Sequence, residues 1–141
     1  MLLYLDNSVL NRPFDDQRQA RVWIETLSFS LVLSLIETGE VSLIRSPIHD
    51  LENSRSPFPL RRHWVEKCLR LATRRVSLDD AIKSRAMALQ QTGFAPLDAL
   101  HLACAEAAGA ERFLACDDRL IRRYSGRMIV QSPATFITTM V

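Results

Sequence analysis

Four acidic residues fall where a parallel sheet presents its chemistry. Asp6 follows the apolar run Leu2-Leu3-Tyr4-Leu5, and Asp117 follows Arg112-Phe113-Leu114-Ala115. Glu52 lies in the helix opened by Ser46-Pro47, and Asp98 in the helix opened by Pro96. Each acid has a plain structural reading beside the chemical one. An acid after a strand caps the next helix. Asp118 fits that role, whereas Asp6 fits it poorly, because the next long helix begins about ten residues later. Glu52 reads equally as a solvated glutamate; its neighbour Asp50 points about 200° around the helix from it. Asp98 is the most informative, since Pro96-Leu97-Asp98-Ala99-Leu100-His101-Leu102-Ala103-Cys104-Ala105 is apolar on nearly every face. An ionised carboxylate there costs on the order of several kcal/mol unless a partner compensates it. The helix dipole offsets only about 0.3–1 kcal/mol of that. His101, one turn on, is placed to pair with Asp98 or to serve as a hydrogen-bonded core histidine. Oxygen ligands without a cysteine or histidine pair suit a hard cation, Mg²⁺ or Mn²⁺. Without one, clustered carboxylates repel and some hold protons at neutral pH. With one, they form a site for phosphodiester hydrolysis that needs no covalent nucleophile.

The elements that must position these acids alternate between strand and helix. A first strand over Leu2-Leu5 is followed by a helix from about Gln17 to Thr38, with Ile24, Leu27, Leu31 and Leu35 on one face and Gly39 as its stop. Val41 to Ile44 reads as a strand, and Ser46-Pro47 opens a helix that Ser56-Pro57-Phe58-Pro59 breaks. Further helices run from about Leu60 to Thr73, from the capping pattern Ser77-Leu78-Asp79-Asp80 to Gly93, and from Pro96 to Gly109. Arg112-Ala115 is a short strand, and a brief helix reaches Tyr124. Met128-Gln131 is the last strand, and Ser132-Pro133 caps a terminal helix. With no hairpin signals, this order predicts one α/β domain over residues 1–141, a parallel sheet of four to five strands with helices on both faces. In such sheets ligands bind beyond the carboxyl ends of the strands, where the strand order reverses.

Composition narrows the class. The chain has 141 residues, 48% hydrophobic and 24% charged, values of a globular protein rather than a disordered tail. No run approaches the roughly 20 apolar residues of a membrane span, and the start lacks the basic n-region of a signal peptide. Cys68, Cys104 and Cys116 are odd in number and form no Cys-x-x-Cys pair, against both a disulfide framework and a structural zinc. These features predict a cytoplasmic protein.

Taken together, Leu5-Asp6-Asn7-Ser8-Val9-Leu10, Ser46-Pro47-Ile48 with Glu52, Asp98-Ala99-Leu100-His101-Leu102-Ala103 and Phe113-Leu114-Ala115-Cys116-Asp117 resemble the PIN domain. That is the metal-dependent ribonuclease fold that includes VapC-type toxins of toxin–antitoxin pairs. The resemblance covers nearly the whole chain. It implies a sheet with the first strand central. It implies that Asp6, Glu52, Asp98 and Asp117 bind Mg²⁺ or Mn²⁺ and carry catalysis, with Ser8 as the hydroxyl beside the first aspartate and Asp118 as an auxiliary acid. It further implies homodimers and, for a toxin, an antitoxin segment in the acidic groove. Ala115 departs from the family, which usually has Ser or Thr two residues before the last acid.

The leading expectation is an endoribonuclease, the toxin of such a pair, with Arg12, Arg55, Arg61, Arg62 and Arg119 as candidates to hold the RNA backbone. The alternative is a PIN-like module that binds RNA or protein without cleaving. A phosphoacceptor receiver domain is disfavoured, because its acidic pair follows the first strand, and here both lysines, Lys67 and Lys83, lie on mid-chain helices. The formal charge of +2 is compatible with an RNA partner. Setting the four acids apart leaves 12 acids against 18 bases, a remainder of +6 carried by 16 arginines and two lysines.

Overall fold

Leu3, Tyr4 and Leu5 have no exposure to solvent, the burial of a strand covered on both faces. In the computed structural model, which describes residues 1–140, they form the middle of a five-stranded parallel sheet. Its strands are β1 (Leu2–Leu5), β2 (Ser42–Arg45), β3 (Arg74–Arg75), β4 (Arg112–Leu114) and β5 (Ile129–Gln131), in the spatial order β3-β2-β1-β4-β5. Leu3 pairs with Leu43 on one side and with Arg112 on the other, and Tyr4 pairs with Phe113. Alternation along the strands sends Leu3, Leu5, Leu43 and Leu114 into one core and Tyr4, Ile44 and Phe113 into the other.

Among the described residues eight α-helices join or follow the strands: α1 (Asn7–Leu10), α2 (Ala20–Glu37), α3 (Pro47–Ser54), α4 (Pro59–Leu69), α5 (Asp80–Gln91), α6 (Pro96–Ala107), α7 (Asp118–Arg123) and α8 (Pro133–Met140). Those of α2, α4 and α8 supply the first core, and those of α3, α5 and α6 the second. Proline at the first turn of α3, α4 and α6 fixes three of the starts. At α3, Ser46 Oγ accepts the amides of Ile48 and His49, and His49 closes a reciprocal cap. Asp79 caps α5 by accepting the Ile82 amide at 2.8 Å. After α5 the chain turns through Gly93 at φ +105°, a backbone state that side chains oppose, and this turn delivers Phe94-Ala95-Pro96 to the start of α6. Among the described residues no helix is long and apolar enough to cross a membrane.

Three local expectations are corrected. Ile24, Leu27 and Leu31 form the half-exposed face of α2, and the buried face is Val22, Glu25, Ser28, Phe29, Val32 and Ile36. The helix carries apolar residues all round. Its core stripe was masked by two polar members, Glu25, which meets the Arg12 guanidinium, and Ser28, whose hydroxyl donates to the Ile24 carbonyl. The helix expected to reach Thr73 ends at Leu69, and Arg74–Arg75 form an edge strand. Two exposed arginines carry no strand signal, although charge suits an edge that must not recruit another sheet. The third correction, the short helix α1, bears directly on Asp6.

Candidate active site

The chain runs outward from β1 through β2 to β3, then returns to the far side of β1 for β4 and β5. The order therefore reverses between β1 and β4, and a crevice opens beyond their carboxyl ends. Asp6 sits there. Its amide donates to the Leu114 carbonyl at 2.9 Å, carrying the β1–β4 ladder one residue further. Its carboxylate caps α1, accepting the Ser8 amide at 3.1 Å and the Ser8 hydroxyl at 2.5 Å. Asp6 is thus a helix cap, contrary to the reading from sequence. The helix it caps has only four residues, too few for a periodic signal.

Asp117 lies beyond the end of β4 and caps α7, accepting the amides of Arg119 at 2.9 Å and Leu120 at 3.4 Å. It is exposed. Asp98 is the third residue of α6, partly buried, and among the described residues its carboxyl accepts no hydrogen bond. Burial pushes this carboxyl up to about 6, and the charges of Asp6, Asp117 and Glu52 add to that rise while His101 opposes it. Asp98 therefore lies within the field of the other three acids. Glu52 comes from the second turn of α3 and accepts a hydrogen bond from His101 Nε2. His101 is fully buried and pairs with Glu52, not with Asp98. Asp50, the neighbouring acid on α3, binds Arg45 at 2.5 Å.

Two concavities open at this edge. One, of about 240 Å³, is lined by Asp98, Asp117, Arg119 and Arg123; the other, of about 340 Å³, by Glu52, Asn7, Asn11, Arg55 and Arg61. Larger concavities of about 480, 610 and 720 Å³ hold none of the four acids. Of the five candidate RNA-binding arginines, Arg55, Arg61 and Arg119 thus stand beside the acids, Arg61 over the rings of Phe14 and Phe58. Arg12 is engaged with Glu25 and Asp15, and Arg62 with the Ser56 carbonyl. Asp118 is held by Arg21 through two bonds of 2.6 and 2.7 Å, and this lowers its carboxyl below the usual range.

Ser8 Oγ, besides donating to Asp6, accepts the Cys116 amide at 3.1 Å and so ties the ends of β1 and β4 together. Ala115 is fully buried. Sequence reasoning overlooked Arg123 and the asparagines Asn7 and Asn11. Arg123 donates to the Gly93 carbonyl at 2.6 Å, and a Cβ at Gly93 would collide with its guanidinium. No local pattern marks such residues, because partners 30 positions apart meet only in the fold.

The donor set is all oxygen, the chemistry of a hard divalent cation. The side chains do not form a ready-made shell: among the described residues no three Asp, Glu, His or Cys groups converge closely enough to hold an ion. Asp6, Glu52 and Asp117 are each turned toward a donor of the protein, Ser8, His101 and the first amides of α7, while Asp98 is left with its proton at mildly acidic pH. That is the arrangement repelling carboxylates adopt without a counter-charge.

No curated protein matches the chain. The family model of the PIN domain matches residues 3–126, a span that takes in all four acids, both concavities and the strand reversal between β1 and β4. PIN domains are in general nucleases that bind RNA and use divalent metal ions. With most of its length covered by that match, the chain belongs to the PIN domain family.

Proposed function

We propose that the protein is a metal-dependent endoribonuclease with its site at Asp6, Glu52, Asp98 and Asp117, a single PIN-like domain over residues 1–141. The observation that carries this is Asp98, a carboxyl on a largely buried helix whose proton is held by burial and by three other acids. A site this costly is kept for a counter-charge, and the oxygen-only donors select Mg²⁺ or Mn²⁺. When bound, such an ion supplies activation of water and stabilisation of charge on the phosphate. The chain's own part is to hold the carboxylates. The Ser8 amide and hydroxyl orient Asp6, His101 orients Glu52, and the α7 amides orient Asp117. Arg55, Arg61 and Arg119 flank the acids, placed to contact RNA phosphates. Within this reading the protein acts in the cytoplasm as a homodimer and as the toxin of a toxin–antitoxin pair, the antitoxin covering the acidic crevice.

The test is RNA cleavage by wild type and Asp6→Asn, each with Mg²⁺ and with chelator. Cleavage by the wild type with Mg²⁺ alone is expected, and equal cleavage in all four reactions overturns the reading. Growth arrest on inducing wild type, and none on inducing Asp98→Asn, supports the toxin assignment; no arrest with either removes it. A second reading, a module that binds RNA or protein without cleaving, draws on Ala115 and on acids that do not converge. It predicts RNA binding without cleavage at any Mn²⁺ concentration.

A further inference from the structure

Behind Glu52 a line of polar side chains runs through the core, and the nuclease reading does not by itself account for it. Ser46 Oγ lies 2.7 Å from the Tyr4 hydroxyl, Tyr4 lies 2.5 Å from His101 Nδ1, and His101 Nε2 meets Glu52 Oε1. Ser46, Tyr4 and His101 are all buried to 1% exposure or less. We propose that His101 is a positioning residue that fixes the Glu52 carboxylate, and that Ser46 and Tyr4 set the imidazole in the tautomer this requires. The proposal rests on the reading of Glu52 as a member of the metal site.

The direction of each bond follows from the donors available. Ser46 Oγ accepts two amides, Ile48 at 3.2 Å and His49 at 3.4 Å, which fill its lone pairs. Of the groups that face its own hydrogen, the Tyr4 oxygen at 2.7 Å is the strong acceptor and the Cys104 thiol the weak one. The phenol then has its hydrogen left for His101 Nδ1. With Nδ1 accepting, the ring proton resides on Nε2 and is donated to Glu52. The Tyr4 ring is itself fixed, stacked on His49 at 4.5 Å and on Phe113 at 5.2 Å. His49 stays neutral, driven down to about 3 by burial, with Nε2–H donating to the Leu5 carbonyl and Nδ1 accepting the Ser46 amide. The chain begins at the N-terminus of α3 and returns to α3 at Glu52, passing through β1 and α6 on the way.

Glu52 needs this device more than the other acids do. Asp6 and Asp117 have short side chains held by amides two residues on, whereas Glu52 has one torsion more, and among the described residues its carboxylate has His101 as its only hydrogen-bond partner.

The test combines Mn²⁺ affinity by calorimetry with the ring-nitrogen spectrum of His101. In the wild type, nitrogen-15 shifts with the proton on Nε2 are expected; a proton on Nδ1 overturns the proposal. His101→Leu is expected to weaken Mn²⁺ binding about 10–100-fold, and His101→Gln, which keeps a donor near the Nε2 position, to restore it to within about 5-fold. An unchanged affinity in the Leu variant, or an equal loss in both, overturns the proposal. If the Leu variant does not fold, Tyr4→Phe serves in its place: it keeps the ring, removes the hydroxyl, and is expected to show a mixed tautomer with weaker Mn²⁺ binding. Wild-type tautomer and affinity in that variant overturn the proposal. Mn²⁺ binding without RNA cleavage overturns the nuclease reading alone, and cleavage with His101→Leu binding Mn²⁺ like wild type overturns this one alone. A wild type that binds no Mn²⁺ overturns both.

Discussion

The Ser8 hydroxyl donates to Asp6 Oδ2 at 2.5 Å while accepting the Cys116 amide at 3.1 Å, so the first acid of the proposed site is oriented from the end of the neighbouring strand. Bonds of this kind to a ligating carboxylate are each worth about 10–100-fold in metal affinity or activity. Ser8→Ala is therefore expected to lower Mg²⁺-dependent cleavage by about that factor. Asp6→Asn, which removes the charge itself, should abolish it. Activity profiles against Mg²⁺ concentration separate the two, because excess Mg²⁺ recovers part of the Ser8→Ala loss and none of the Asp6→Asn loss.

The acidic doublet resolves into two different jobs. Asp117 caps α7 and lines the concavity it shares with Asp98, whereas Asp118 lies on the other side of the turn, paired with Arg21. Exposed ion pairs contribute little to stability. Asp118→Asn is expected to keep cleavage within about 3-fold of wild type, and Asp117→Asn to lose at least about 100-fold. Parallel RNA-cleavage rates check this, and equal losses would place both acids in the site.

Much of the frame was readable because it is written locally. Prolines at helix starts, caps at Ser46 and Asp79, and β-branched or apolar runs at four strands all act within a few residues. Asp98 was readable because a carboxylate in an apolar helix contradicts its surroundings. What escaped was set by partners distant in sequence. The buried face of α2 contains Glu25 because Arg12 neutralises it, β3 exists because β2 offers an edge, and His101 turned to Glu52 rather than Asp98 because Tyr4 occupies its other nitrogen. Asp6 and Asp117 sit just beyond strand ends and Glu52 and Asp98 near the starts of α3 and α6, as the order of elements put them, but the caps and donors that hold Asp6, Glu52 and Asp117 appear only in three dimensions.

Arg12 is a case where the fold reassigns a residue. Glu25 is buried, with its side chain only 3% exposed, and Arg12 reaches it through Nε at 3.0 Å and Nη2 at 2.6 Å. Removing one partner of a buried pair costs about 3–5 kcal/mol when the other charge is left unpaired, and here Arg21, 3.6 Å from Glu25, offsets part of that loss. Arg12→Met is expected to lower Tm by about 10 °C for a domain of this size, and the Arg12→Met/Glu25→Met double variant to recover most of it. Thermal denaturation followed by circular dichroism measures both. A single variant with wild-type Tm but weakened RNA binding would return Arg12 to the RNA contacts.

Arg55 and Arg119 flank the acids from opposite concavities, and among the described residues neither guanidinium is in an ion pair. Each is placed to neutralise one phosphate. For Arg55→Ala and Arg119→Ala the slope of log affinity for RNA against log salt is expected to shrink by roughly 0.7 each. Binding isotherms at several salt concentrations, taken on the Asp6→Asn background to prevent cleavage, give the slopes. Unchanged slopes would remove these arginines from the RNA path.

Asp98 makes stability depend on pH in a direction opposite to that of an ordinary surface acid. Its carboxyl, raised to about 6 from an unfolded value of about 4, is favoured in the folded state when protonated. The stability it contributes is fully present below pH of about 4 and is lost as pH rises through 6, where the folded carboxyl must ionise beside Asp6, Asp117 and Glu52. Asparagine avoids that ionisation. In the absence of divalent ions Asp98→Asn is therefore expected to melt a few degrees above wild type at pH 7.5, on the order of 1–2 kcal/mol after solvent screening. The gap should close near pH 4. Adding Mg²⁺ at pH 7.5 should raise the wild type and leave the variant nearly unmoved, since an ion that binds only the folded state stabilises it by mass action. Scans at the two pH values, with and without Mg²⁺, give the four melting temperatures. A variant less stable than wild type at pH 7.5 without the ion would mean that the Asp98 carboxylate is held by a partner of the protein and that burial and repulsion among the acids do not raise it.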